Sequence, residues 1–202
     1  MKNKLTFWVS IGSTYTYLTA LRLSKFKADN DIDIRFKIIN IRWIMKKMDN
    51  VPFPPSKSSK VSYMWKDIQR RAKIYQIPIP KIPAPYPLKY FDEANLYALA
   101  TLEEGWFVNY LENTYRYWFL EGIPAGSDEN IKLTCAKNSV DFQSFKEKSS
   151  SQKLLNEYKS NTQIAYEFGI FGVPSFSVNE NLFWGDDRLN DIIHFKKELN
   201  LV

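Results

Sequence analysis

The chain has 202 residues, 45% of them hydrophobic and 16% aromatic, enough for a sizeable core in one domain with a large insertion or in two small lobes. No stretch approaches the roughly 18 unbroken apolar residues of a membrane helix. Lys2 and Lys4 precede only a short apolar run with no cleavage pattern, and the single cysteine, Cys135, excludes an intrachain disulfide and a cysteine-rich metal site, so a cytoplasmic protein with no membrane span is expected. The net charge of +6 resides in Lys and Arg scattered along predicted helices, such as Lys66, Arg70, Arg71 and Lys73, the pattern of a solvated face rather than of a nucleic-acid groove.

In chain order, Leu5 to Ile11 is an apolar, β-favouring run, and Ser13 to about Asn30 reads as a helix on the recurrence of Tyr15, Leu18 and Leu21. Ile32 to Ile39 is a second strand with Ile32, Ile34, Phe36 and Ile38 on one side, so the opening is β-α-β with a right-handed parallel crossover. From Ile41 to about Tyr166 the chain reads as helices and loops. Val61, Met64, Trp65, Ile68, Ala72 and Tyr75 form one apolar stripe, and Phe107, Tyr110, Leu111, Thr114 and Trp118 form another. Between them, Gln76 to Leu88 carries five prolines, each lacking its N–H and restricting its predecessor, and must be an extended, stiff loop. Ser127 and Asp141 have the chemistry of helix N-caps. A helix carrying Leu155, Tyr158, Thr162 and Ala165 ends near Gly169. A hairpin of Ser175–Val178 and Leu182–Trp184 follows, and a last helix spans about Asp187 to Leu199. The expected division is an α/β domain from residues 1–45 and 167–202 with a helical insertion at 46–166.

Two stretches carry chemistry. Gly12-Ser13-Thr14-Tyr15-Thr16-Tyr17 sets a small hydroxyl at the first turn of the first helix, and Gly172-Val173-Pro174-Ser175-Phe176 sets a Val-Pro step at the entry to a strand. Read locally, Ser13 is an N-cap or a hydrogen-bond donor to a bound anion, and Pro174 is an ordinary trans proline. Lys60 reads as a surface lysine, Asp187 as an N-cap, Cys135 as an inert packed thiol, and His194 as a solvated residue with no metal-spaced partner.

These two segments, with Lys60 to Ala72 and Phe183-Trp184-Gly185-Asp186-Asp187-Arg188-Leu189, resemble the 2-hydroxychromene-2-carboxylate isomerase and kappa-class glutathione transferase family, relatives of the DsbA thiol oxidoreductases, over nearly the whole chain. The resemblance implies a thioredoxin-like fold (β-α-β, helical insertion, β-β-α), glutathione as cofactor, a small aromatic or conjugated substrate, no metal, and a homodimer. It implies that Ser13 activates the glutathione thiol, with the sulfur near a helix N-terminus that lowers a thiol pKa from about 8.5. It further implies a cis Val173-Pro174 bond, Val173 backbone pairing with the cysteinyl amide, Lys60 at the glycyl carboxylate, Asn50 lining the site, and Asp186 and Asp187 at the γ-glutamyl end. Tyr15, Trp43 and Tyr86 are candidates for the acceptor pocket. In the disulfide-exchanging relatives two cysteines stand where this chain has Ser13 and Thr16, so dithiol chemistry is not expected. The chain departs from the family pattern at Thr14, where proline is common, at Arg42-Trp43, where a small Leu-Gly turn is common, and at Asp186, where a neutral polar residue is common. A second carboxylate at Asp186 would repel the α-carboxylate of a γ-glutamyl group. The expected activity is glutathione-dependent isomerisation. A kappa-like transferase, or a thiol- or anion-binding protein without turnover, are the alternatives.

Overall fold

A computed structural model describes residues 3–51 and 53–201; Met1, Lys2, Pro52 and Val202 lie outside the described residues. Strands β1 (Leu5–Val9), β2 (Ile34–Ile38), β3 (Ser175–Val178) and β4 (Asn181–Trp184) form one mixed sheet in the order β2-β1-β3-β4. β1 and β2 are parallel, with Leu5 opposite Ile34 and Val9 opposite Ile38, while β3 runs antiparallel to both β1 and β4.

Side chains alternate across a strand, so β1 feeds two cores. Leu5, Phe7 and Val9 belong to the larger one, where Phe7 stacks on Phe176 at 4.6 Å, and Trp8 points to a smaller cluster with Ile39, Ile41, Ile44, Phe91 and Val173. The larger core is continuous from the sheet into the helices of residues 46–166, taking in Met64, Trp65, Leu99, Tyr110 and Trp118. Both apolar stripes read from the sequence face it. One lies on α4 (Ser58–Ile74) and the other on α6 (Phe107–Arg116), which runs on into a π-helical turn at Tyr117–Glu121.

The long first helix is two: α1 (Thr16–Ala20) and α2 (Leu23–Asn30). The i→i−4 ladder is interrupted where Arg22 N–H bonds Thr19 O at 3.0 Å, and Arg22 Nε bonds the Leu18 carbonyl at 2.9 Å. β1 stops at Val9 rather than Ile11, and the last helix is shorter than its periodicity suggests, Arg188–His194. The hairpin turns on Asn179-Glu180, with Asn179 at φ +51°, so β4 starts at Asn181. Ser127 and Asp141 do cap α7 (Asp128–Lys137) and α8 (Phe142–Ser149), accepting from Asn130 N at 3.2 Å and Ser144 N at 2.9 Å. The proline segment is extended and contains cis bonds at Ile82-Pro83 and Tyr86-Pro87. Its carbonyls serve side chains of the surrounding helices: Trp118 Nε1 donates to Pro85 O at 2.8 Å and Gln69 Nε2 to Pro80 O at 3.0 Å.

Asn95, on α5 (Phe91–Glu103), is fully buried and joins the helical part to the end of β1. Its Oδ1 accepts from Ile11 N at 2.8 Å, and its Nδ2 donates to Ile11 O at 2.9 Å and Phe91 O at 2.7 Å. Alanine at this position strips partners from several buried backbone groups at about 1–3 kcal/mol each. Asn95→Ala is therefore expected to lower the unfolding free energy by about 2–4 kcal/mol, as read by urea titration, with an unchanged m-value.

Candidate functional site

The loop after β1 leads into the site. Gly12 adopts φ +132°, and a Cβ there would stand 2.6 Å from the Phe91 ring, so only glycine lets the chain pass over that ring. Ser13 follows, half-buried, with its carbonyl accepting from the Tyr115 hydroxyl at 2.8 Å. Its own hydroxyl donates to the Val173 carbonyl at 2.9 Å. The N-cap of α1 is Tyr15 and its side chain makes no capping bond, so the capping role for Ser13 is corrected. Its hydroxyl is aimed across the site instead.

From the other side comes the Val173-Pro174 bond, which is cis as the resemblance implied. Gly185 N–H bonds Pro174 O at 3.0 Å and carries the chain into Asp186 and Asp187. The two ends of the sequence thus meet at a cleft of about 870 Å³. Of the candidate residues, Ser13, Asn50, Val173, Pro174, Asp186, Asp187, Tyr15 and Tyr86 all line it. The Tyr15 hydroxyl donates to Asp67 at 3.0 Å, and burial with that carboxylate beside it holds the phenol far above its ordinary range.

Two candidates do not line it. Trp43 lies on α3 (Ile41–Lys47), where Ile41 and Ile44 face the core; its ring points away from the cleft and meets Tyr166 edge-on at 5.7 Å. Its predecessor Arg42 lines the cleft. Lys60, exposed in the first turn of α4, stands 5.1 Å above the ring of Phe53, which does line the cleft, so its ammonium is at the margin rather than on the wall.

Asp186 is 4% exposed and turned into the protein. Its Oδ2 lies 3.1 Å from Arg71 Nε and 3.4 Å from Arg22 Nη2, while its backbone oxygen also accepts from Arg22. The Arg22 guanidinium stacks on Tyr75 at 3.6 Å, and Arg71 bonds the Tyr75 hydroxyl. Burial raises the Asp186 carboxyl, opposed by Arg71 and then Arg22. The repulsion expected from this second carboxylate is thereby offset, because two cations face it. Arg71, read from the sequence as part of a solvated face, is half-buried and lines the cleft. The signal available was its place at the border of the α4 stripe, between Ile68 and Tyr75. Asp187 is held by Arg188, 2.6 Å away, and this bond lowers its carboxyl below the ordinary aspartate range. Its stabilising contribution is present above the unfolded-state pKa and is lost as pH falls through the lower folded value.

The remaining nucleophile candidates are shut off. Thr16 is fully buried, its hydroxyl without a partner, so no second reactive group stands where a dithiol would need one. Cys135 is buried far along the core, which pushes its thiol up to about 11. His194 is exposed at the end of the last helix, and among the described residues no group of acidic, His or Cys side chains could hold a metal. Nor is any described helix long and apolar enough to cross a membrane.

The family model of a DSBA-like thioredoxin domain matches residues 4–195. A 2-hydroxychromene-2-carboxylate isomerase of Pseudomonas sp. (strain C18) is 30% identical over 184 residues, covering 91% of this chain and 85% of that protein. The chain belongs to the 2-hydroxychromene-2-carboxylate isomerase family. With its relatives it is an enzyme. The isomerase of that name from Pseudomonas putida is likewise 30% identical over 91% of this chain and 89% of its own length. A solved structure of 2-hydroxychromene-2-carboxylate isomerase superposes with a TM-score of 0.84 at 26% identity, covering 96% of this chain and 95% of that one. The family's thioredoxin-like architecture is what joins the Ser13 loop to the cis-proline turn.

Proposed function

We propose that the chain is a glutathione-dependent isomerase acting on a 2-hydroxychromene-2-carboxylate-like substrate, as the names of its relatives indicate. The observation that carries the reading is the 2.9 Å bond from Ser13 Oγ to the Val173 carbonyl beside cis-Pro174, which puts a hydroxyl donor and a strand entry in one cleft. The cleft's residues suit the tripeptide. Its volume is within the range of small-molecule sites. At one end Asp187 and Arg71 offer a carboxylate and a cation to a zwitterionic amino-acid head group, with the helix start at Arg188 behind them. Asn50 and the marginal Lys60 suit the glycyl carboxylate, and the Val173 backbone suits the cysteinyl amide.

Bound there, glutathione would supply a thiol for reversible addition to a conjugated double bond, allowing rotation and then departure of the thiol unchanged. The protein's own part is electrostatic. Ser13 Oγ–H donates to a sulfur anion, a charge-assisted bond stronger than its bond to a neutral carbonyl. The Tyr115 and Asn95 contacts hold that donor in place, so little reorganisation accompanies the reaction. Tyr15, Tyr86 and Phe53 give an apolar wall for an aromatic acceptor.

Glutathione at 100 times its dissociation constant is expected to stabilise the fold by about 2.7 kcal/mol. For a chain of this length that is a rise in Tm of roughly 5–10 °C by scanning calorimetry. Free thiol is expected to remain constant through turnover; its stoichiometric loss would make the enzyme a transferase, and the absence of both stabilisation and thiol-dependent turnover would overturn the reading.

A further inference from the structure

The cleft holds a further cation with no role in the reading above. Arg42 projects from α3 and lines the cleft near Ser13, with more than a third of its surface open. Its position is set by two contacts: the guanidinium stacks on the Phe91 ring at 4.1 Å, and Nη2 donates to the Leu88 carbonyl at 2.7 Å. One N–H of five is thus committed, and no carboxylate comes within ion-pair distance of it among the described residues. Asp92, whose charge acts on Arg42, is engaged by Asn40 Nδ2 at 3.2 Å. The other arginine lining the cleft, Arg71, is paired with Asp186 at 3.1 Å. Lys46, one turn along α3, lines the same side. They share the wall with Ile41, Met45 and Phe91, and Asp49 and Asn50 line the cleft just beyond the helix.

The same Phe91 ring that carries Arg42 on its face touches Gly12, next to Ser13. Arg42 and the Ser13 loop are thus packed on one ring, and both line the same cleft. A stacked, anchored guanidinium with donors to spare is a preorganised receptor for a planar anion.

We infer that Arg42 is a specificity-determining residue that receives a carboxylate carried by the conjugated acceptor, in register with Ser13. This rests on the isomerase reading for its reaction but not for its binding chemistry. An acceptor with its carboxylate attached directly to the conjugated system fills the fork; a neutral acceptor leaves it unfilled.

The test is calorimetric binding of 2-hydroxycinnamate and of its methyl ester to the full chain, with and without saturating glutathione. Arg42→Gln removes the charge but keeps a donor for the Leu88 carbonyl, and Arg42→Lys restores the charge without the fork. The natural chain is expected to prefer the acid over the ester by about 10- to 100-fold, the size of a charge-assisted bond. Arg42→Gln should reduce that preference to within about threefold, and Arg42→Lys should recover part of it. Equal binding of acid and ester by the natural chain, or an undiminished preference in a folded Arg42→Gln protein, overturns the inference. Thermal stabilisation by glutathione, measured on the same samples, reports separately on the thiol site, so loss of one reading does not conceal the fate of the other.

Discussion

On the proposed glutathione-dependent reading, replacing Ser13 with alanine is expected to lower kcat/KM about 10- to 100-fold, with glutathione binding retained and the fold within about 1 kcal/mol of the original. The small stability change follows from what the hydroxyl does in the free protein: it makes one half-buried bond, to the Val173 carbonyl, worth about 0.5–1.5 kcal/mol. The large kinetic change follows from what it would do for a sulfur anion. Losing a charge-assisted bond of about 1.5–3 kcal/mol raises the bound thiol's pKa by roughly 1–2 units. The ultraviolet absorbance of thiolate, titrated against pH with saturating glutathione, should show that displacement, and the rising limb of the pH–rate profile should move with it. An alanine variant with unaltered rate and thiolate titration removes Ser13 from the chemistry.

Replacing Asp186 with alanine has the largest expected effect on stability. The carboxylate is nearly inaccessible and separates Arg22 from Arg71, whose side chains are only 15% and 26% exposed. Without it two guanidinium groups crowd around Tyr75 with no counter-ion, and removing one partner from such a buried set costs about 3–5 kcal/mol. Tm should fall by roughly 6–20 °C. Burial holds the Asp186 carboxyl above its ordinary value despite both arginines, so the folded state binds its proton more tightly than the unfolded chain does. That contribution is complete below the unfolded-state pKa and is lost as pH rises through the higher folded value, the reverse of Asp187. Asp186→Asn keeps an acceptor for Arg71 and Arg22 and should lose less than alanine. Asparagine and alanine variants equally destabilised would show that charge is the whole of the effect. Neither variant being destabilised would mean that the arginines find another partner.

The two motifs legible in the sequence were those whose partners are backbone. A small hydroxyl at the first helix and a Val-Pro step before a strand need only the fold to bring them together, and the β-α-β and β-β-α patterning already implied that fold. Side chains that answer distant side chains were not legible. Asp186 looked like an isolated second acid because its cations are 115 and 164 residues away, one of them inside a helix whose exposed face is also basic. Trp43 and Arg42 were indistinguishable for a related reason. They are about 100° apart on a seven-residue helix whose buried residues are Ile41 and Ile44, and which neighbour flanks each side depends on where the 152–168 helix lies. The split of the first helix at Arg22 has the same origin: its periodic residues are unbroken, and the interruption follows the arginine that reaches back to Asp186.

Asn95 has a consequence for redesign. Because a single amide from the helical region grips both polar groups of one residue at the mouth of the first strand, aim of the reactive turn is vested in a segment that sheet-based grafts leave behind. A chimera exchanging residues 46–166 for those of a relative should keep the orientation of Ser13, and with it the proposed thiol activation, only where the donor supplies an equivalent carboxamide; otherwise a well-folded hybrid would present Ser13 in the wrong direction.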